Sequence, residues 1–319
     1  MLLDSLITLA GLVVLLIGAD RFVVGAGATA RNLGVSPLLI GLTIVGFATS
    51  GPEMAVSVSA SMRGLPNLAI GNALGSNIAN IGLALGVFTL VRPMYLTNSV
   101  TLRWEAPLLV AVPFFTANLF YSGKYLSRID GLIMLVGLGV FLSWMLYTAR
   151  SNPMGTEFEA ETRTKIRTYV AIGWLIVGFI LLAAGSYVLV FGAENLARGM
   201  GVSNLFIGIT IVAVATSLPE VAVSAVAAFK GEAELALGNI VGSNTFNLLA
   251  VIGIAATIHP VVVEAEILYL HFPVMLAFTV ALFFMAYNRR GESRIRRREG
   301  FFLLLAFIAY YGFLAVKTF

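Results

Sequence analysis

The chain runs to 319 residues, 59% of them hydrophobic and only 11% charged, with a formal net charge of +4. A soluble domain carries about 25% charged residues, and several apolar runs here exceed the roughly 20 residues that span a bilayer, so composition excludes a soluble globule and makes the lipid bilayer a partner. The positive charges sit in short loops, which argues topology instead of nucleic-acid binding, and the absence of cysteine excludes disulfides, thiolate metal sites and cysteine nucleophiles.

In chain order, residues 1–23 (MLLDSLITLAGLVVLLIGADRFV) have no basic start and carry Asp4, so they read as a first membrane helix and not a cleaved signal. Periodicity and length predict five spans near 2–26, 35–62, 68–90, 103–122 and 128–148, then five more near 170–192, 202–229, 235–258, 264–287 and 301–317. The fold class is an all-α polytopic membrane protein of ten transmembrane helices. The one long polar stretch, 149–168, divides a first five-helix repeat (1–148) from a second (169–319) and leaves no room for a soluble regulatory domain.

The two halves are related. Residues 33–80 and 200–247 align without a gap at an offset of 167, with 27 of 48 positions identical. Gly18, Gly25 and Arg31 match Gly185, Gly192 and Arg198 at the same offset. Five is an odd number of spans, so the second half enters the membrane from the opposite side, the inverted-topology repeat of many secondary transporters. With the N-terminus outside, the inward connections hold fourteen basic residues and the outward ones five. The positive-inside rule then places both termini outside and the linker in the cytoplasm. The basic cluster at 289–298 reads as a solvated loop beside anionic lipid.

The repeated segments (46–80 and 213–247) each carry a glutamate in an apolar run: Thr49-Ser50-Gly51-Pro52-Glu53 and Thr216-Ser217-Leu218-Pro219-Glu220. Proline removes a backbone donor and clashes with the carbonyl four residues earlier, so each helix should kink or break there. Carbonyls before the break, such as those of Gly46 and Ala213, are expected to lose helical partners, which lipid tolerates only where the backbone lines a cavity. Freed carbonyls, hydroxyls and a carboxylate within one turn make an all-oxygen environment suited to hard cations such as Na+ and Ca2+. The following span adds Ser76 and Asn80, four apart on one face, and the second repeat adds Ser243 and Asn247; Asn72 and Asn239 precede them on the same face. Gly71, Gly75, Gly238 and Gly242 permit close helix approach.

Each of these features alone has a plain reading: a proline as a kink, a serine or asparagine as interhelical glue, a glycine as packing. An intramembrane glutamate is expensive and marks function by default. Its repetition in matching surroundings makes Glu53 and Glu220 an ion or substrate site shared by two halves. Asp20 and Arg21 read as a local pair near a span end, Glu105, Glu264 and Glu266 as residues complementing helix starts, and His259 and His271 as interfacial. A zinc enzyme or a Ser-His hydrolase lacks its parts, so no enzyme activity is expected.

The motifs ATSGPE…GNALGSNIAN and ATSLPE…GNIVGSNTFN resemble the two alpha-repeats of the Ca2+/cation antiporter superfamily, and the layout resembles the prokaryotic sodium/calcium exchangers. The resemblance covers nearly the whole chain. It implies alternating access in the cell membrane, Na+ moving against Ca2+, with no cofactor beyond these transported ions. It assigns Glu53 and Glu220 as central carboxylates, with Thr49, Ser50, Thr216 and Ser217 as hydroxyl or carbonyl ligands. Ser76 and Ser243 would close the outer positions, the backbone carbonyls of Gly46 and Ala213 would join them, and Asn80 and Asn247 would occupy midplane positions. Two departures stand out. Some members have aspartate where Asn247 stands, so this site keeps two carboxylates, neutralised by one Ca2+ or two Na+. Much of the family has leucine where Gly51 stands, so one gate has more backbone freedom. The residues leave H+/Ca2+ exchange and a K+-coupled variant open within the same fold, with a passive cation channel and a membrane scaffold as readings from other classes. They fix no oligomeric state.

Overall fold

The structure, a computed structural model, describes residues 2–96, 100–151, 166–199, 216–286 and 293–318. The helices in chain order are α1 (Leu2–Leu33), α2 (Pro37–Thr49), α3 (Gly51–Met62), α4 (Pro66–Val91), α5 (Val100–Gly123), α6 (Arg128–Ser151), α7 (Thr168–Gly199), α8 (Leu218–Lys230), α9 (Ala233–Ile258), α10 (Ile267–Ala286) and α11 (Arg297–Thr318). Among the described residues seven helices are long and apolar enough to cross a membrane, and α2 with α3, bent by 43° at their junction, make an eighth if the pair is counted as one span. The predicted span 202–229 and most of the predicted linker lie outside the described residues, apart from 216–229 and the linker's two ends.

Local chemistry sets the helix ends. Gly34 takes φ +65° after α1. Ser36 then caps α2, its hydroxyl accepting from the Leu39 amide at 3.2 Å, and Pro37 occupies the first turn, where its missing N–H costs nothing. Gly231 closes α8 in the left-handed region, and its counterpart Gly64 does the same after α3. α1 and α7 are each 32 residues, about 48 Å at 1.5 Å per residue. Both overrun the predicted ends at 26 and 192.

The chain forms two compact units, each drawing on both sequence halves. The first comprises 1–52 and 145–239. Here α1 and α7 pack along glycines seven residues apart. An added Cβ at Gly11, Gly18 or Gly25 would stand 2.3–2.6 Å from the backbone of Leu189, Leu182 or Leu175. Gly178, Gly185 and Gly192 meet Phe22, Leu15 and Thr8 just as closely. The seam is self-complementary under the 167-residue offset: position 11 of either half faces position 22 of the other, 18 faces 15, and 25 faces 8. Lipid gives no hydrophobic drive between helices, so this close approach of backbones is what holds the pair. Charges join α1 to the turn after α8: Arg31 donates to Glu232 at 2.7 Å and Lys230 meets Asp20 at 2.7 Å. Asp20 also lies 3.8 Å from Arg21, whose guanidinium sits 4.7 Å from the Trp174 ring centre.

The second unit comprises 53–144 and 240–319. α4 packs on α11, with Gly82 against Phe307 and Phe278, and Gly86 against Leu304 and Gly300. α6 meets α9 where Gly131 abuts Thr257 and Gly253. Two short antiparallel strand pairs tie connections together: β1 (Met94–Leu96) with β4 (Ser293–Ile295), and β2 (Tyr125–Leu126) with β3 (Val261–Val262). Asn67 donates to the Val262 carbonyl at 3.1 Å beside the second pair. His271 bonds the Tyr310 hydroxyl and is half-buried, whereas His259 is exposed.

Candidate functional site

Both repeats start a helix in the same way. Ser50 (φ −78°, ψ 6°) and Ser217 (φ −89°, ψ 2°) sit in the bridge region. A new helix starts one residue later, with proline second and glutamate third. The proline's missing donor is thereby placed among the orphan N–H groups that any helix start leaves. The glutamate lies in the first turn, at the positive end of the helix dipole. Glu53 and Glu220 are both 0% exposed.

The break does not free the Gly46 carbonyl as the sequence suggests. Ser50 N–H still donates to it at 3.1 Å, because the interruption falls after Ser50 and the helix before it keeps its ladder. Gly46 therefore offers only its second lone pair, which Thr49 Oγ1 approaches at 3.5 Å. Ala213 lies outside the described residues.

In the first unit, Asn239 bridges the two repeats. It accepts from Thr49 Oγ1 at 3.1 Å and donates to the Glu220 backbone carbonyl at 3.2 Å and to Ser224 Oγ at 2.8 Å. Ser50 and Ser217 are buried and Thr216 is half-buried. The Ser50 hydroxyl bonds no described residue.

In the second unit, Ser76 Oγ donates to Glu53 Oε1 at 3.3 Å. Ser57, one turn along α3, donates to the Val251 carbonyl at 2.7 Å and fixes α3 against α9. Ser243 is fully buried on α9. Asn80 and Asn247 are drawn together with two asparagines for which the sequence reading had no role. Asn80 Nδ2 donates to Asn244 Oδ1 at 3.0 Å, Asn247 Nδ2 to Asn77 Oδ1 at 3.0 Å, and Asn77 Nδ2 to the Asn244 carbonyl at 3.2 Å. The Oδ1 atoms of Asn80 and Asn247 accept from no described residue. Each of these residues begins a π-helical turn, Asn80–Leu85 in α4 and Asn247–Val251 in α9, a distortion frequent at functional sites. The asparagine of each Gly-Ser-Asn motif was the available signal for Asn77 and Asn244; the π-turns left none.

Eleven of the twelve sequence-predicted site residues are described, and they divide. The second unit holds Glu53, Ser76, Asn80, Ser243 and Asn247; the first holds Gly46, Thr49, Ser50, Thr216, Ser217 and Glu220. Among the described residues no three His, Cys, Asp or Glu side chains gather. The chemistry on offer is one carboxylate in each unit among hydroxyl and amide oxygens, a donor set for hard cations.

Buried carboxylates in the first turns of apolar helices mark a multi-pass membrane protein with intramembrane ionisable groups. The chain belongs to the sodium/calcium exchanger protein family, which matches residues 4–147 and 170–316. It is 45% identical to the protein named CaxA of Alkalimonas amylolytica, over 97% of this chain and 98% of that one. It is 31% identical to the sodium/calcium exchanger MaX1 of Methanosarcina acetivorans, over 96% and 97%. Among solved structures, the sodium-calcium exchanger NCX_Mj soaked with Na+ and Ca2+ superposes with a TM-score of 0.84 at 29% identity, covering 98% of both chains. The protein is therefore an antiporter of the exchanger family.

Proposed function

We propose that this chain exchanges Na+ for Ca2+ by alternating access, with both ions competing for oxygens around Glu53 and Glu220. The observation that carries the reading is the matched placement of the two fully buried acids, each in the first turn after a Ser-X-Pro break. Two carboxylates are neutralised by one Ca2+ or two Na+. An uncompensated pair of acids is costly to occlude, so only the loaded protein changes state, and transport is exchange instead of leak. Asn80, Asn247, Ser76, Ser243, Thr49, Ser50, Thr216 and Ser217, with the carbonyls of Gly46 and Ala213, complete the ligand set in this reading. Each net charge moved couples to about 2.3 kcal/mol per 100 mV.

The architecture in this proposal is ten spans in two inverted five-span repeats, with both termini outside the cytoplasm of a cell membrane. Three observations support it. The α1–α7 seam and the asparagine pairs are each self-complementary under the repeat offset, as a two-fold relation requires. The strands β1 and β4 join two connections that the span count assigns to the inside, and β2 and β3 join two assigned to the outside. Arg31 and Lys230, both assigned inward, pair across α1 and the α8 end, with Glu232 and Asp20 respectively.

The test is 45Ca2+ uptake into proteoliposomes with Na+, K+ and H+ gradients imposed one at a time. Uptake driven by Na+ alone is the expected result. Uptake driven by a pH or K+ gradient without Na+ reassigns the coupling ion, and flux indifferent to every gradient makes the protein a channel.

A further inference from the structure

We propose that Asn77 and Asn244 are positioning residues, which turn the carbonyl oxygens of Asn247 and Asn80 toward the transported cation by taking up their amide hydrogens. The proposal rests on the reading of Asn80 and Asn247 as ion ligands.

A primary amide ends in one acceptor and one double donor of nearly equal size, and only its neighbours decide which way it points. At Asn77 that decision is forced. Its partner at 3.2 Å is the backbone carbonyl of Asn244, which can only accept, so the atom facing it is Nδ2. The Oδ1 of Asn77 is thereby fixed toward Asn247, and only a donor suits it; Asn247 presents Nδ2 at 3.0 Å. The remaining polar atom of Asn247 must then be its oxygen. This Oδ1 is buried, in a residue 0% exposed, and no described residue donates to it. The counterpart pair has the same sense, Asn244 Oδ1 accepting from Asn80 Nδ2 at 3.0 Å and leaving Asn80 Oδ1 as a buried acceptor, but no backbone carbonyl fixes Asn244, whose Nδ2 bonds no described residue. All four residues lie in one compact unit, on α4 and α9. A buried acceptor without a donor costs free energy that a cation would return.

The arrangement also bears on Asn247 being neutral. A carboxylate at 247 has no hydrogen to give and would set an anionic oxygen against Asn77 Oδ1. An amide there needs an acceptor behind it, and Asn77 supplies one. Asn77 and Asn247 are thus a matched pair, and the acceptor matters only while residue 247 is an amide.

The experiment uses the full chain in proteoliposomes and reads 45Ca2+ uptake against Ca2+ concentration, driven by whichever gradient drives the parent protein. Asn77→Ala is expected to raise half-saturating Ca2+ about tenfold, the scale of one lost buried hydrogen bond, with the maximal rate within about twofold. In an Asn247→Asp background the same change is expected to shift half-saturation less than about twofold, since the carboxylate donates nothing to Asn77. An equal shift in both backgrounds, or a loss of maximal rate and melting temperature without a change in half-saturation, marks Asn77 as merely structural and overturns the proposal. Asn80→Ala and Asn247→Ala separate the two levels. If neither alters half-saturation, the ligand reading itself fails; if both raise it while Asn77→Ala does not, only the positioning role fails. Asn244→Ala, read through Asn80, makes the same test if Asn77→Ala is not recovered as folded protein.

Discussion

The glycine seam between α1 and α7 makes the most quantitative demand on the structure. A Cβ at Gly18 would lie 2.6 Å from Leu182 N and 2.8 Å from the Leu181 carbonyl carbon. Ordinary contact begins near 3.4 Å, and the obstacle is backbone, which no rotamer change can move. Gly18→Ala must therefore open the seam by about 0.8 Å along much of its length. Overpacking of this kind costs about 1–3 kcal/mol, and at ~2–4 °C per kcal/mol the melting temperature should fall by roughly 2–12 °C. Gly173→Ala, on the same pair of helices, is the control. Its Cβ meets no described atom within 4 Å, and alanine favours the helix by up to about 1 kcal/mol. Gly185→Ala should behave like Gly18→Ala. The double variant should cost less than the sum, because one opened seam admits both methyls. The assay is thermal unfolding of detergent-solubilised protein followed by size-exclusion recovery. Equal melting temperatures for Gly18→Ala and Gly173→Ala would refute the seam.

Asn239→Ala removes the bridge between Thr49, the Glu220 carbonyl and Ser224; the same melts should show a loss of about 2–3 kcal/mol from the buried groups left unsatisfied, together with reduced exchange. Gly51→Leu installs the residue that stands at 218, and because a Cβ at Gly51 meets no described atom within 4 Å, the variant should fold with its melting temperature unchanged or raised. Lys317 donates to Glu266 at 2.8 Å, and this hydrogen bond holds the Glu266 carboxyl below its ordinary value of 4.5. A depressed carboxylate stabilises above its unfolded pKa and ceases to as pH falls through the folded value. Lys317→Met should thus lower the melting temperature slightly at pH 7, and the difference from parent should vanish on acidification. The effect stays small because both side chains are about half exposed.

The class of protein and the buried acids were legible because they follow from single residues whose physics is local. Proline at 52 dictates a break, and α2 and α3 do bend there by 43°; Glu53 and Glu220 in apolar runs are fully buried. The details of the break were not legible. Proline's geometry says which carbonyl is threatened, but where the ladder stops depends on Ser50 adopting the bridge conformation, and this preserves the Gly46 hydrogen bond. Helix ends at 33 and 199 were missed because the small and polar residues after 26 (Gly27-Ala28-Thr29-Ala30-Arg31) and 192 (Ala193-Glu194-Asn195-Leu196-Ala197-Arg198) weaken the apolar signal while the helix continues. The asparagine bridges were hidden for another reason. The Gly-Ser-Asn repeats place Asn77 and Asn244 beside the acidic motif, but an amide's role depends on what it meets across the helix interface, which no spacing within one helix encodes. The packing units also cut across the sequence halves, since each glycine seam and asparagine pair joins one repeat to the other.

The central claim is that one pair of buried carboxylates couples the two ion fluxes. Neutralising each acid isosterically tests it most directly, by comparing Na+-gradient-driven 45Ca2+ uptake in proteoliposomes of Glu53→Gln, Glu220→Gln and the parent chain. Either single substitution should bring uptake down to that of protein-free vesicles, with folded protein recovered in each case. Gradient-driven exchange surviving in either variant would contradict it.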